Sequence, residues 1–131
     1  MKNWIIALAI LILPMVTYFV LDKTHADKTS FEAQAAGKPA VIKFASTMCL
    51  DCKRLGTVFN EVMPKYEGQV AYEQINAQAN DKRTDALIKK YNVTVVPTVV
   101  FLKKDGTVYK RTEGFYDKNQ LETYLKGIIN G

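Results

Sequence analysis

The 18 residues from Trp4 to Leu21 are almost all apolar and include no charged side chain. An uncharged run of about 18 residues or more is long enough to cross a bilayer as one helix. Trp4 and Tyr18 lie near its two ends, where amphipathic aromatic side chains favour the membrane interface. The pattern predicts an N-terminal transmembrane helix, assigned to residues 1–22, with residues 4–21 in contact with lipid.

The alternative for this segment is a cleaved signal peptide, which would make the protein secreted. Signal peptides have apolar cores of about 7–15 residues, shorter than this run, although 24–26 (Thr-His-Ala) is a weak cleavage pattern. The charges around the run point both ways, because Lys2 precedes it while Lys23 and Lys28 follow it. We expect an anchored protein whose following domain lies outside the cytoplasm, in the periplasm or at the cell exterior.

Residues 23–28 form a short polar linker, and residues 29–131 alternate between helical and strand-like patterns. Predicted strands cover the apolar run 40–45, the alternating segment 69–76, the β-branched run 94–102 and a return strand at 108–112 after an Asp-Gly turn. Helices are predicted near 29–37, from 49 to about 64, at 81–91 with Ala86, Leu87 and Tyr91 facing inward, and from Asp117 to about Ile129. This order predicts an α/β domain with a central mixed β-sheet flanked by helices.

Composition narrows the function classes. The 18 Lys and Arg residues exceed the 13 Asp and Glu residues and give a formal charge of +5, but the basic residues are scattered along the chain. Nucleic-acid binders concentrate their charge on one face, so we expect no nucleic-acid partner. With two cysteines and one histidine, the chain lacks the four ligands that structural zinc requires, and no metal site is expected.

The two cysteines are Cys49 and Cys52, placed where a predicted strand ends and a helix begins. The first turn of a helix carries free N–H groups and partial positive charge, which lower the pKa of a thiol. We assign Cys49 as the nucleophile and Cys52, one turn further on, as the resolving thiol of an exchange through a mixed disulfide. The redox-active pair needs no separate cofactor.

From about Thr29 to its end, the chain resembles a thioredoxin domain. The matching pieces are Lys38-Pro39-Ala40-Val41, Phe44, Cys49-x-x-Cys52-Lys53, Tyr66-x-Gly68, Asn76, Tyr91-x-Val93, Val96-Pro97-Thr98, Lys104-x-Gly106, and Gly114 followed by Leu121. The resemblance implies a thioredoxin-like fold in which the bond before Pro97 is cis and the backbone of Val96 pairs with substrate. Without it, Pro97 would be assigned to an edge or a bulge, because proline removes a donor from a strand.

The chain departs from that pattern close to the cysteines. Met48 stands where thioredoxins have tryptophan, Leu50-Asp51 replaces Gly-Pro, and Thr57 replaces a proline. The chain therefore resembles the wider thioredoxin-like class, which includes anchored reductases of cytochrome maturation, more than a general cytosolic thioredoxin. We assign Met48, Leu50 and Asp51 to substrate binding, together with Val96 and Pro97.

Two charges are expected to tune the cysteines. Asp51 disfavours thiolates, which favours the disulfide form and hence a reductase. Lys43 occupies the position of the family's buried acid, and a buried lysine is costly unless it is paired or neutral. It is a candidate proton-transfer or pKa-tuning group, paired with Glu73 or Asp51; alternatively, it reaches solvent from a strand edge.

The predicted function is that of a thiol–disulfide oxidoreductase. We expect it to act as a reductase of protein disulfides outside the cytoplasm. Its partners would be protein disulfide or dithiol substrates and an unidentified thiol electron donor. A Cu(I)-handling module is one alternative, because thiolates and the thioether of Met48 suit that ion. A non-catalytic thioredoxin-like binding module is the other.

Overall fold

The computed structural model of the chain describes residues 2–24, residue 31 and residues 35–131. These fall into two compact units, of which the first is Met1–Ala33 and contains helix α1 at Lys2–Thr24. Helix α1 continues two residues beyond the predicted boundary at residue 22, and its side chains from Asn3 to Tyr18 are exposed. The predicted cleavage site around Ala26 and most of the helix predicted at 29–37 lie outside the described residues.

Within the described part of the chain, none of the helices combines the length and the apolar character that a membrane crossing requires. The membrane-spanning role of the first segment therefore stays a prediction.

The second unit, Gln34–Gly131, is built on a four-stranded mixed sheet. Its strands are β1 (Ala40–Ala45), β2 (Ala71–Asn76), β3 (Thr98–Leu102) and β4 (Val108–Glu113), in the spatial order β2-β1-β3-β4. Strands β1 and β2 are parallel, whereas β3 is antiparallel to both β1 and β4. The α/β class and the mixed sheet predicted from the sequence are confirmed.

Strand β3 begins four residues later than predicted. Residues 94–97 form a loop, because Pro97 has no N–H to donate to a neighbouring strand. The Thr98 hydroxyl donates a hydrogen bond of 2.6 Å to the Val95 carbonyl, which closes this loop against the start of the strand. The backbone just before β3 is therefore free of sheet pairing, and this determines the geometry of the site described below.

In the part of this unit that the structure describes from residue 40 onward, three helices and a short 3-10 turn accompany the sheet. They are α2 (Leu50–Val62), the turn Met63–Tyr66, α3 (Lys82–Lys90) and α4 (Lys118–Asn130). Helices α2 and α4 pack on one face of the sheet and share a core with β1 and β3. Its buried members are Val41, Leu55, Phe59, Val62, Val70, Val99, Phe101, Tyr116, Leu121, Leu125 and Ile128.

The inward face of α3 differs from the prediction at one position. Tyr91 is buried and Leu87 is half-buried as expected, but Ala86 is exposed and Thr84 is buried instead. Positions 84, 87 and 91 recur at helical spacing, whereas Ala86 lies two residues from Thr84 and hence on the opposite side of the helix. The prediction placed Ala86 inward because alanine is apolar. Thr84 takes the inward position instead, because its hydroxyl and N–H bind the residue that caps the start of the helix.

Asp81 forms that cap, and its carboxylate accepts hydrogen bonds from the Thr84 N–H (2.8 Å) and the Thr84 hydroxyl (2.7 Å). These bonds to Thr84 lower the pKa of Asp81 below its ordinary value. The ionised cap therefore stabilises the fold above the unfolded pKa of about 3.9. That stabilisation is lost as the pH falls through the lower pKa of the folded state.

We therefore expect Asp81→Ala to lower the urea midpoint at pH 7, with a loss that shrinks as the pH is taken below about 4. The control is Asp85→Ala, which removes an exposed carboxyl from the first turn of the same helix. Chemical denaturation across this pH range measures the effect. Equal losses in the two variants would contradict the capping role.

Candidate active site

Cys49 ends the loop that follows β1 and forms the N-cap of α2. Its backbone is extended, and its Sγ accepts a hydrogen bond of 3.1 Å from the Cys52 N–H. The first turn of α2 then brings Cys52 back beside it, with 5.2 Å between the two Cα atoms, and the two residues form a disulfide. Cys49 is half-buried whereas Cys52 is buried, so Cys49 is the more accessible sulfur.

This geometry determines what the pair can do chemically. When the bond is reduced, the Cys49 sulfur lies against the free N–H groups and the positive end of α2, which stabilise a thiolate. The shielded Cys52 lies close enough to displace any partner from Cys49. The assignment of Cys49 as nucleophile and Cys52 as resolving thiol stays a prediction.

The loop before β3 lies against the disulfide. The Val96–Pro97 bond is cis, as the resemblance implied. The Val96 carbonyl oxygen lies 3.8 Å from the Cys49 Sγ, although 47 positions separate the two residues. The Pro97 carbonyl accepts a hydrogen bond of 2.9 Å from the Gly114 N–H, which fastens the loop to the end of β4. The predicted site residues Cys49, Cys52, Val96 and Pro97 are thus brought together.

Exposed apolar side chains surround this contact. Met48 and Leu50 flank Cys49 and are 89% and 72% exposed. Val95, at 49%, and Phe115, at 41%, extend the surface from the loop and from the residue after Gly114. We call Met48, Leu50, Val95 and Phe115 the apolar rim. Sequence reasoning missed Val95 and Phe115, although each directly adjoins a motif residue, Val96 or Gly114.

The profile of the family described as "Thioredoxin-like domain" matches residues 27–129, most of the chain. The chain belongs to the thioredoxin-like family.

Its curated relatives include a thioredoxin and a thiol-disulfide oxidoreductase, both longer than this chain. The mitochondrial thioredoxin of Bos taurus is 36% identical over 91 residues, which cover 70% of this chain and 52% of that protein. The thiol-disulfide oxidoreductase ResA of Bacillus thuringiensis is 32% identical over 111 residues, covering 70% of this chain and 64% of ResA. The chain thus spans about half to two thirds of these relatives.

Two further matches cover most of the length of the matched protein. The thioredoxin of Borreliella burgdorferi is 29% identical over 110 residues, covering 84% of this chain and 87% of that protein. Among solved structures, chloroplastic thioredoxin z superposes with a TM-score of 0.65 over 81% of this chain and 91% of its own, at 22% identity. That structural likeness supports the thioredoxin-like fold.

Asp51 is paired in this thioredoxin-like domain, but not with the predicted partner. Its carboxylate lies 3.4 Å from the Arg54 guanidinium, and both side chains are largely exposed. Arg54 in turn lies over the Phe115 ring, 4.5 Å from its centroid. Glu73, the other expected partner of Lys43, binds Arg83 through two hydrogen bonds of 2.8 and 2.9 Å. The predicted pairing of Lys43 with Glu73 or Asp51 is therefore wrong.

Lys43 is buried in the middle of the sheet, with 1% of its surface exposed. Its strand neighbours are Gln74 on β2 and Val99 on β3, so the alternative that it reaches solvent from a strand edge is also wrong. The ammonium lies 5.0 Å from the centroid of the Phe59 ring and 3.4 Å from where a Cβ on Gly56 would lie. Burial lowers the pKa of Lys43 from its ordinary value.

Lys43 and Cys52 line the same cavity, of about 380 Å³, which we call the Cys52 pocket. Its lining consists of Lys43, Ala45, Ser46, Thr47, Cys52, Lys53, Gly56, Gln74 and Asn76. Gly56 contributes to the pocket because it has no side chain where the lysine approaches α2. A buried cation therefore shares a small space with the resolving cysteine.

The described residues contain no group of three or more His, Cys, Asp or Glu side chains arranged to hold a metal ion. In the oxidised form described here, both sulfurs are engaged in the disulfide.

Proposed function

We propose that the protein is a thiol–disulfide oxidoreductase that cycles Cys49 and Cys52 between dithiol and disulfide. The observation that carries this proposal is the disulfide at the start of α2, with the accessible Cys49 facing Val96 and the shielded Cys52 behind it. Membership of the thioredoxin-like family supports it.

The cycle has two exchange steps. The Cys49 thiolate attacks a substrate disulfide, so a mixed disulfide forms and one substrate sulfur leaves as a thiolate. The Cys52 thiolate then attacks the Cys49 sulfur, the mixed disulfide breaks, and the second substrate sulfur leaves. The substrate gains two electrons, and the Cys49–Cys52 disulfide is reduced again by a thiol donor, which supplies two electrons.

Substrate binding is assigned to the surface around Cys49. An extended peptide segment would pair with the backbone of Val96, which belongs to no strand. Met48 and Leu50 would contact its apolar side chains, and Asp51 would lie beside them at the exposed start of α2. Pro97 is buried, so its contribution is to hold Val96 in place through its bond to Gly114.

We infer that the reaction runs as protein-disulfide reduction. Asp51 lies between the two cysteines in the chain, and its negative charge opposes thiolate formation and favours the disulfide product. The exposed ion pair with Arg54 weakens this effect only in part, because such pairs are weak in water. Measurement of the reduction potential of the Cys49–Cys52 pair tests whether the protein acts as a reductant. A value near the oxidant end of the family, about −120 mV, would contradict it.

Insulin-disulfide reduction by the 131-residue chain, with a dithiol as electron donor, tests the activity. We expect catalysed reduction above the rate of the donor alone. The only tryptophan is Trp4, outside the thioredoxin-like domain, so thiol alkylation is the appropriate readout of the redox state. Absence of turnover combined with tight Cu(I) binding would overturn the proposal in favour of metal handling. Absence of both would favour a non-catalytic binding module.

Lys43 is proposed to assist Cys52 during the cycle. In the reduced state, its ammonium would stabilise the Cys52 thiolate across the pocket and could deliver a proton to it, leaving a neutral amine that can take the proton back. We expect Lys43→Met to raise the pKa of the Cys52 thiol and slow its attack on the mixed disulfide. Alkylation rates of Cys52 across pH, measured in a Cys49→Ser background, report that pKa. An unchanged alkylation profile would contradict the role.

The same substitution is expected to stabilise the fold. Because the folded-state pKa of Lys43 lies below its unfolded value of about 10.4, the buried ammonium costs free energy at pH 7. That cost is relieved as the pH rises through the lowered pKa toward the unfolded one. Lys43→Met should therefore raise the free energy of unfolding at pH 7 by roughly 1 kcal/mol or more, with a smaller gain near pH 10. The Phe59 ring offsets part of the cost in the native protein.

We propose that helix α1 anchors the protein to a membrane and that the thioredoxin-like domain lies outside the cytoplasm. The uncharged run 4–21 and the exposure of its apolar side chains up to Tyr18 support anchoring. The test is retention in the membrane fraction after alkaline washing, together with labelling of the reduced cysteines in intact cells by an impermeant thiol reagent. Release of a shortened chain into the medium would support signal-peptide cleavage instead.

A further inference from the structure

The Cys52 pocket holds a positive charge without a partner. Among the described residues, the Lys43 ammonium makes no hydrogen bond and no ion pair, and it lies between the Phe59 ring and the backbone of Gly56. A second cation, Lys53, lines the same pocket. The nearby acids are engaged elsewhere, Asp51 with Arg54 and Glu73 with Arg83. A buried charge without a counterion is costly, so the pocket favours an anionic occupant.

The rest of the lining supplies hydrogen-bond donors. The Asn76 Oδ1 accepts a bond of 3.0 Å from the Gln78 N–H, so the amide nitrogen of Asn76 is left to donate. Gln74, which carries an amide, and Thr47, which carries a hydroxyl, also line the pocket. A carboxylate accepts hydrogen bonds only and is matched by these donors.

The size of the pocket limits the occupant. Its volume of about 380 Å³ lies at the small end of the range of about 300–1,000 Å³ found for small-molecule sites. Gly56 helps keep that volume open, because a Cβ there would lie 3.4 Å from the Lys43 ammonium. The space suits a short organic chain that ends in one charged group.

We propose that the Cys52 pocket is a binding site for a single carboxylate on a small organic group, with the Lys43 ammonium as its counterion. The carboxylate comes either from a free small acid or from an acidic side chain of the protein substrate. A carboxylate carries one negative charge, which neutralises the one buried cation. Its oxygens also accept hydrogen bonds from the donors that line the pocket.

Occupancy would be linked to the redox state of the neighbouring pair, and this part rests on the proposed function. In the reduced protein, the Cys52 thiolate is itself an anion facing Lys43, so it competes with the carboxylate. The carboxylate therefore binds the disulfide form more tightly and, by reciprocity, favours that form. A tenfold preference corresponds to a shift of about 30 mV toward more negative reduction potential.

The test is a titration of the oxidised 131-residue chain, held in neutral detergent micelles, followed by the amide NMR signals of the pocket residues. Butyrate is the probe, and butyramide is its uncharged match. We expect saturable binding of butyrate, at least about tenfold weaker binding of butyramide, and the same loss in Lys43→Met. Lys104→Met removes one exposed charge from the distant β3–β4 turn and should bind as the native chain does.

Equal binding of butyrate and butyramide, equal binding by the native chain and Lys43→Met, or no saturable binding would each overturn the site. Binding to the oxidised protein needs no turnover. A chain that binds butyrate but reduces no insulin would therefore refute the proposed function and leave the site standing.

A second measurement identifies the source of the carboxylate. Peptide disulfides with Glu or Gln beside the cysteine are compared by kcat/KM. A preference for the Glu peptide that disappears in Lys43→Met assigns the carboxylate to the protein substrate. Butyrate binding without any such preference assigns it to a free small acid.

Discussion

Cys49→Ser is expected to reduce insulin-disulfide turnover by a factor of at least about 10³, because it removes the only sulfur from which the cycle can begin. Cys49 is the half-buried member of the pair and faces the Val96 carbonyl, whereas Cys52 is buried beneath it. A hydroxyl in that position receives the same N–H bond from the helix, but it is far less acidic than a thiol. The remaining Cys52 cannot reach a bulky substrate disulfide.

Cys52→Ser should also stop turnover, but with a different product. Cys49 can still attack, so the mixed disulfide forms and is no longer resolved. Non-reducing gels would show a covalent adduct with insulin in this variant and none with Cys49→Ser. Lys104→Met, a change at the exposed β3–β4 turn, should retain turnover. Adducts of equal yield in both cysteine variants would contradict the assignment of nucleophile and resolving thiol.

The second large effect is expected on stability. Phe101 lies in β3, is fully buried and packs in the core with its ring 5.2 Å from the Tyr124 ring. Phe101→Ala should lower the free energy of unfolding by about 3–5 kcal/mol, because it removes buried apolar area and leaves a cavity between β3 and α4. Folded domains have only about 5–15 kcal/mol in total, so a measurable unfolded fraction is expected.

Phe115→Ala provides the matched control, because Phe115 is the same residue type but lies in the apolar rim at 41% exposure. Its loss should cost about 1 kcal/mol or less. Urea denaturation followed by far-UV circular dichroism compares the two variants with the native chain. Losses of similar size would show that the core described around β3 does not carry the stability assigned to it.

The elements that follow from local patterns were predictable. The apolar run of β1 is buried from Ala40 to Ala45, and α2, where a helix was predicted from residue 49 to about 64, buries Leu55, Phe59 and Val62 at helical spacing. The position of the cysteines between these two elements was therefore known before the structure. The same holds for the Asp117 cap of α4, whose carboxylate binds the Gln120 N–H.

Features that depend on distant pairings did not follow from local patterns. The partner of Glu73 is Arg83 on the next helix. The contact of the loop before β3 with Cys49, 47 residues away, was expected only through the resemblance to a thioredoxin domain. Lys43 is the clearest example of what the sequence did not reveal. Its position in the family pattern suggested a charge near Cys52, but not which residues surround that charge. Only the sheet register, which places Gln74 and Val99 beside it, shows that the lysine is central and faces a pocket.

The closeness of the two cysteines in the chain has a consequence for how the protein passes between its redox states. The disulfide joins residues three positions apart and so closes a ring of only four residues. In the chain-entropy treatment, a disulfide stabilises the folded state because it lowers the entropy of the unfolded chain. For a ring this small the stabilisation is about 2 kcal/mol, compared with about 3 kcal/mol for a 15-residue loop. Cleavage of the bond therefore leaves the helix caps, the sheet and the core to maintain the domain. For the proposed oxidoreductase cycle, we therefore expect the thioredoxin-like domain to stay folded in both redox states.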